Sequence, residues 1–277
     1  MTAGAIEDRR YRSEILAVVQ QGRSRERRSL LHIAIGVAAV VVSLIYCDAA
    51  NLQHYAGALG RLGAIAAEAF PPDFTRWRSW AVPLAETLAM SIVSTAVSAA
   101  VALVLAIFVA RNLSPIAAIS ALLRCAFNLF RSLPELVLGL VLVATVGFGP
   151  LAGIVALSLH SIGMLGKFFA ELIEHADLAP IEALRAQGAS RGQSFCFGVL
   201  PQILPRVVDL TLYRWEHNLR ASAVMGLVGA GGIGFELISA LRLFEYREGL
   251  ALLILTFFLV TVIDFAGGML RTRFVED

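Results

Sequence analysis

Apolar stretches too long for a soluble core recur along this chain, and they constrain it more than any other feature. A helix rises 1.5 Å per residue and a hydrocarbon core is about 30 Å thick, so about 20 apolar residues make one crossing. Six runs meet that test, at roughly 29–47, 82–110, 115–146, 150–172, 206–229 and 248–270. Hydrophobic residues make up 58% of the 277, more than an ordinary soluble domain uses. The expected class is therefore all-α: a polytopic membrane protein with six transmembrane helices and a cytosolic helix between them. The third run is long enough to be broken or tilted, and Pro134 lies within it. No internal repeat is visible.

The net charge of +2 says little, but the placement of the charges says more. Seven arginines fall in residues 1–28, ahead of the first apolar run, together with four acids. Such an arm suits a membrane surface better than nucleic acid. It is also too long for the charged start of a cleaved signal, so residues 29–47 read as an uncleaved anchor. With the N-terminus inside, the inner segments hold Arg9, Arg10, Arg12, Arg23, Arg25, Arg27, Arg28, Arg111, Lys167, Arg185, Arg191, Arg206, Arg271 and Arg273. The outer segments hold Arg61, Arg76, Arg78, Arg242 and Arg247. Fourteen against five puts both termini in the cytoplasm. The organisation expected is a cytosolic arm at 1–28, an anchor at 29–47, a periplasmic segment at 48–81, a transmembrane domain at 82–270 and a cytosolic tail at 271–277. Within the periplasmic segment, LQHYAGALGRLGAIAAEAF has the pattern of a helix lying at the bilayer surface, with Trp77 and Trp80 as interface anchors.

Several patterns borrowed from soluble enzymes fail on context. GASRG at 188–192 matches a nucleophile elbow, but a helical pattern, not a strand, precedes it. GAGGIG at 229–234 matches a dinucleotide fingerprint, yet it follows a membrane helix. GKF at 166–168 has neither the glycine spacing nor the hydroxyl of a phosphate-binding loop. The five histidines form no metal-ligand spacing, and Cys47, Cys125 and Cys196 imply no disulfide framework. The chain thus carries no visible means of hydrolysing ATP, no catalytic residues and no cofactor or metal site of its own.

One polar stretch then stands out, EALRAQGASRGQSFCFGVLPQ at 182–202. Glu182 to Gln187 are good helix formers, Gly188 interrupts them, residues 189–197 resume the pattern, and Pro201 and Pro205 flank the return to the membrane. A short helix along the cytosolic surface needs a protein partner, or else it is a solvated loop; periodicity does not choose. The spacing of Glu182, Ala183, Gly188, Leu200 and Pro201 resembles the EAA motif of ABC-importer permeases, with Leu184 in place of the second alanine and Gly198 in place of an isoleucine. In that family the loop, here about 178–202, is the coupling helix that docks on a separate ATPase. ETLAMSIVSTAVS (86–98), RSLPELVLGL (131–140), LHSIGMLGKFFAE (159–171) and ASAVMGLVGAGGIGFEL (221–237) resemble the methionine-permease-like branch. FPPDF (70–74), YRWEHNLRAS (213–222) and GVLPQILP (198–205) are similar to phosphonate permeases and their phosphite-importing relatives.

Ionisable groups cost at least about 2.5 kcal/mol each at mid-membrane, so they should face protein or water. Arg124, Asn128, Arg131 and Glu135 repeat at helical spacing and are expected on one face of the third span. His160, Met164, Lys167 and Glu171 do the same on the fourth, and Thr87, Ser91, Thr95 and Ser98 on the second. The fifth span carries Arg214, Glu216, Arg220 and Ser222, which line either a translocation path or a dimer interface, or pair among themselves as Glu216 and Arg220 at i,i+4 would. Arg124 and Arg131 read as snorkelling or structurally paired, and His160 as packed or hydrogen-bonded between helices. Gly229, Gly231, Gly232 and Gly234 are either a helix stop or, as the resemblance implies, a flexible outer gate.

The resemblance implies the membrane subunit of an ATP-driven importer in a bacterial inner membrane, carrying a phosphonate-type oxyanion. Phosphite, methionine or another small solute is the alternative cargo. An ion-coupled carrier using Asp264, Glu86 and His160 is the alternative of a different class. The partners implied are a second copy of the chain, a pair of ATPase subunits holding ATP and Mg, a periplasmic binding protein and membrane lipid, with no nucleic acid.

Overall fold

The computed structural model describes residues 29–49, 51–112 and 116–275, so the arginine-rich arm lies outside it. The described chain is helical, with no strand, and it divides into two units meeting between Ile65 and Ala66. In the first unit, α1 (Ser29–Tyr46) is apolar and solvent-accessible on all sides, as a helix facing lipid must be. Its 18 residues span about 27 Å. Helix α2 (Leu52–Ala69) begins in this unit, and Tyr55 Oη donates to Ala49 O at 3.2 Å across the turn. The surface helix expected over this stretch is therefore a helix.

The second unit is a bundle around α3 (Ala81–Val109) and α6 (Pro150–Glu174). The hydroxyl stripe expected on the second span is real: Thr87, Ser91, Thr95 and Ser98 are all buried, joined by Ser94, Ala102 and Ala106. These small residues face Ala152, Gly153, Ala156 and Ser158 of α6, so the two backbones approach closely. Ser98 Oγ reaches Ser158 O at 3.3 Å. Most hydroxyls also donate to carbonyls of their own helix, as Thr95 does to Ser91 O at 2.7 Å, which removes the cost of placing them in an apolar interior.

The third expected span is two helices. Helix α4 (Ala117–Ser132) and helix α5 (Glu135–Val146) meet at a 92° bend. The cause is local: proline disfavours helical backbone in the residue before it, and Leu133 is extended at φ −81°, ψ 127°. This overturns the expectation that Arg124, Asn128, Arg131 and Glu135 share a face, because Glu135 starts a new helix on a new axis. Helix α4 lies against α6 where glycines permit it. A Cβ on Gly163 would stand 2.7 Å from Phe127 O and 3.0 Å from Arg131 N.

At one end of the bundle the chain runs through α7 (Leu178–Ala186), α8 (Arg191–Ser194) and a π turn (Phe195–Val199) into α9 (Leu200–Met225). Asp177 caps α7 by accepting from Ala179 N–H at 3.0 Å. Gly188 ends it at φ 87°, a conformation glycine adopts without strain. Ser190 and Gln193 form a reciprocal capping box that starts α8. Helix from Arg191 to Val228 is then continuous for 38 residues, so the fifth span begins well before the expected Arg206. Pro201 and Pro205 do not interrupt it: Pro201 follows directly on the π turn, whose wider spacing absorbs the misfit, and Pro205 lies inside α9.

At the other end, Gly229 (φ 91°) closes α9 and leads to α10 (Ile233–Arg242), a helix not anticipated from the sequence, and then to α11 (Tyr246–Val275). Trp80 is fully buried there, its indole Nε1 donating to Glu248 at 3.3 Å, while Trp77 remains exposed. Trp80 is thus a core residue rather than an interface anchor. Nearby Asp73 accepts from Thr75 N–H at 2.8 Å, and that backbone hydrogen bond holds its carboxyl below the usual range. The three cysteines are free and exposed.

Gly163→Ala is expected to lower stability by about 1–3 kcal/mol through overpacking at the α4–α6 contact. Gly268→Ala, which meets nothing within 4 Å, should be neutral or slightly stabilising. Thermal unfolding of the two variants in the same detergent checks the difference; equal midpoints would refute the contact.

Candidate translocation and coupling sites

A chain of polar side chains crosses the bundle at the level of the α4–α5 break. Glu135, in the first turn of α5, accepts from Arg214 Nη2 at 2.9 Å and faces His217 Nε2 at 2.7 Å. Arg214 is 4% exposed, and its Nε donates to Ser161 of α6 at 2.8 Å. Ser161 donates in turn to Asn218 Oδ1 at 3.1 Å, and Asn218 Nδ2 donates to Thr95 Oγ1 at 2.8 Å. Four helices are joined by this run. His160 ties the break itself to α6: its Nδ1 lies 3.2 Å from Leu133 O, and its Nε2 lies 3.3 Å from Glu135. Because a carbonyl can only accept, Nδ1 of His160 carries a proton. The expected helix-to-helix role for His160 holds.

Glu216 and Arg220 do not neutralise each other along α9, as their spacing had implied. Glu216 accepts from Arg271 Nη2 at 2.7 Å, and Arg220 pairs with both oxygens of Asp264 at 3.0 and 3.1 Å. Arg271 also lies 3.1 Å from Asp209. Helices α9 and α11 are therefore stitched by interhelical pairs, and Gly267 leaves the room Glu216 needs. Ser222 is buried and donates to Thr87 O at 3.1 Å and to Leu219 O at 2.8 Å. Arg124 bonds Glu174 and donates to Val109 O at 2.9 Å, a structural pairing rather than a snorkelling cation. Lys167 and Glu171 lie 3.5 Å apart. Among the described residues no group of His, Cys, Asp or Glu has the arrangement of a metal site.

The glycine segment is a hydrogen-bonded connection in this conformation. Gly149 N–H donates to Gly229 O at 3.1 Å, and Gly232 N–H donates to Glu86 Oε2 at 3.0 Å. Gly229, Gly231 and Gly232 all have positive φ. Gly234 packs directly on Ala223 O, a contact no side chain would allow.

In the polar loop, Glu182, Ala183 and Gly188 are exposed, Leu200 is half-buried and Pro201 is exposed. Ile181 anchors α7 to the bundle at 4% exposure. The two positions that depart from the motif touch each other: a Cβ on Gly198 would stand 3.2 Å from Leu184 Cδ1. A large residue at 184 is thus accommodated by the missing side chain at 198. The loop presents an outward polar face about 9 residues long on a fixed base.

Sequence reasoning missed Glu135, Ser161 and Asn218 as parts of one network. The available signals were an acid directly after a mid-membrane proline and an amide one turn beyond Arg214.

These features define a helical membrane domain of the kind that moves solutes: buried polar groups across the bundle and an exposed, capped helix at one end. Residues 102–276 match the family described as "Binding-protein-dependent transport system inner membrane component", and the chain belongs to it. The phosphite transport system permease protein PtxC of Stutzerimonas stutzeri is 47% identical over 89% of this chain and 90% of its own length. The phosphate-import permease protein PhnE of Mycolicibacterium smegmatis is 37% identical over 69% of this chain and 36% of its own. Among solved structures, the inward-facing MetNI methionine ABC transporter aligns with TM-score 0.59 at 27% identity, over 68% of this chain and 92% of that chain. The chain is a multi-pass permease subunit of an ABC importer, a class that works with an ATPase and a substrate-binding protein. The ion-coupled carrier is set aside, and its candidate residues Asp264, Glu86 and His160 are engaged in the contacts above.

Glu216→Gln is expected to cost about 1–3 kcal/mol by removing the nearer of the two carboxylates that face Arg271, with Asp209 as the other. Glu68→Gln, on the exposed face of α2, should stay within about 0.5 kcal/mol of the parent. Thermal unfolding reads both, and parity between them would remove the case for the α9–α11 pairs.

Proposed function

We propose that this chain carries phosphite or a closely related phosphorus oxyanion inward, driven by a separate ATPase that docks on residues 178–202. The observation that carries the substrate is the 47% identity, over nearly the whole chain, to a permease named for phosphite. The membrane network agrees with it chemically. Guanidinium and imidazole groups suit phosphorus oxygens: His217 and Arg220 line a groove beside the α5 start, and Arg214 meets Glu135 there from within the bundle.

The coupling assignment draws its support from the form of α7. A capped helix with Glu182, Ala183 and Arg185 turned outward has no neighbour among the described residues to cover them. On this reading the termini are cytoplasmic, and two copies of the chain enclose the path. Closure of the ATPase pair pushes α7, and the continuous helix from Arg191 to Val228 carries the displacement to the glycines at 229–234, which act as the outer gate. ATP and Mg belong to the partner subunit. This chain breaks no bond; it supplies the route and the lever.

Glu182→Lys and Gly188→Asp should each abolish uptake of phosphite in proteoliposomes holding the permease, the ATPase and the binding protein. Co-purification of the ATPase should weaken while membrane insertion is retained. Normal uptake by either variant would dispose of the docking role. Uptake of methionine but not phosphite by the parent importer would dispose of the substrate.

A further inference from the structure

Glu135 does more than a structural ion pair requires. Its Oε1 collects Arg214 at 2.9 Å and His217 at 2.7 Å, with His160 at 3.3 Å. The cation is fixed, because Ser161 holds Arg214 Nε and α9 is uninterrupted around it. The acid is not fixed in the same way. It opens a helix joined to α4 through two extended residues, Leu133 and Pro134, so rotation at those two residues moves the carboxylate, releasing the His160 contact to Leu133 O, and leaves Arg214 and His217 in place on α9. Compare Glu216 and Arg271, where both partners lie inside continuous helices. A groove of about 380 Å³ opens beside the acid, lined by Pro134, Glu135, Leu136, His217, Arg220 and Val224. The side chains of His217 and Arg220 are 42% and 47% exposed. At about 30 Å³ per water, that space holds a small hydrated anion.

A carboxylate offers a guanidinium and an imidazole the same acceptor atoms as a phosphorus oxyanion does. We propose that Glu135 is a built-in stand-in for the cargo: its carboxylate fills the Arg214–His217 site in this conformation, and a small tetrahedral oxyanion takes the same donors when α5 turns away at residues 133–134. With the acid seated, Arg214 is neutralised and free anions are refused. With it withdrawn, Arg214 loses its counter-charge behind the groove that His217 lines. The inference rests on the oxyanion-permease reading and deepens it by placing a binding site, and its internal competitor, within the membrane.

The test uses the permease–ATPase complex without binding protein, with phosphite, inorganic phosphate and sulfate as probes. The parent complex should bind none of them measurably. Glu135→Gln, which keeps the shape and loses the charge, should bind at least one about ten-fold more tightly than the parent, and that anion should raise its unfolding temperature. A folded Gln variant blind to all three anions overturns the proposal. If that variant does not survive purification, Glu135→Ala is expressed and extracted with and without phosphite or formate. Recovery of folded complex by an anion supports the stand-in, and no recovery by either overturns it. The two readings fail separately. A parent importer that takes up no phosphite, beside a Gln variant that binds phosphate or sulfate, removes only the substrate. Normal phosphite uptake by the parent, beside a blind Gln variant, removes only the stand-in.

Discussion

Inside a hydrocarbon layer no water is at hand, so a buried donor or charge must find its partner within the protein. Arg214 sets this demand most severely, at 4% exposure in the middle of α9. Its guanidinium is answered by Glu135 and Ser161, and Ser161 is completed by Asn218, which is completed by Thr95. Each hydrogen bond obliges another helix to stand in one place. The start of α5, the middle of α6, the middle of α9 and the hydroxyl face of α3 are therefore positioned by one arginine and the groups it needs. Apolar packing between Leu, Ile and lipid tails has no comparable directional preference, since a membrane helix gains little by exchanging tails for side chains.

Much of this architecture was legible in the chain, because hydropathy and helical spacing report directly on lipid contact and on single helix faces. The six runs correspond to five long helices and one broken pair. Thr87, Ser91, Thr95 and Ser98 lie on the buried face their spacing gave them. Spacing failed where its premise failed. Extrapolating from Arg124 to Glu135 assumed a straight helix, and Pro134 ends that helix. Matching Glu216 to Arg220 assumed that partners lie on the same helix, whereas Arg271 and Asp264 on α11 are nearer. Periodicity carries no information about the facing helix, so the interhelical pairs and the reach of Asn218 were beyond it. Helix α10 was lost for a different reason: a run of glycines reads as loop, yet Glu86 and Thr87 on α3 cap its first N–H groups from outside.

The outward-facing loop obeys a different logic. Residues 178–199 sit in no apolar run and are held by capping: Asp177 on Ala179, Ser190 with Gln193, and Gln202 Nε2 on Asp177 O at 3.2 Å. Local bonds of this kind make a stiff element without a core. Stiffness matters because, on the proposed mechanism, the element must transmit force rather than absorb it. The exchange of bulk between Leu184 and Gly198 fits the same requirement, since α7 stays seated on the π turn that leads into α9.

From that seat to Val228 the chain is one helix of 38 residues, about 57 Å long. Arg214, His217 and Asn218 lie on it about two-thirds of the way along, so a displacement of α7 reaches the buried network before it reaches the glycines beyond Val228. Glu135 does not ride on that helix; it belongs to α5, beyond the 92° break. A shift of α9 along its axis by one helical turn, about 5.4 Å, takes Arg214 and His217 out of hydrogen-bonding distance of a carboxylate that stays behind. Coupling between the loop and the membrane site needs no chain of small adjustments in this geometry. It needs only that the cation, on α9, and the acid, on α5, be mounted on different helices, and the break at Pro134 gives α5 an axis apart from α4.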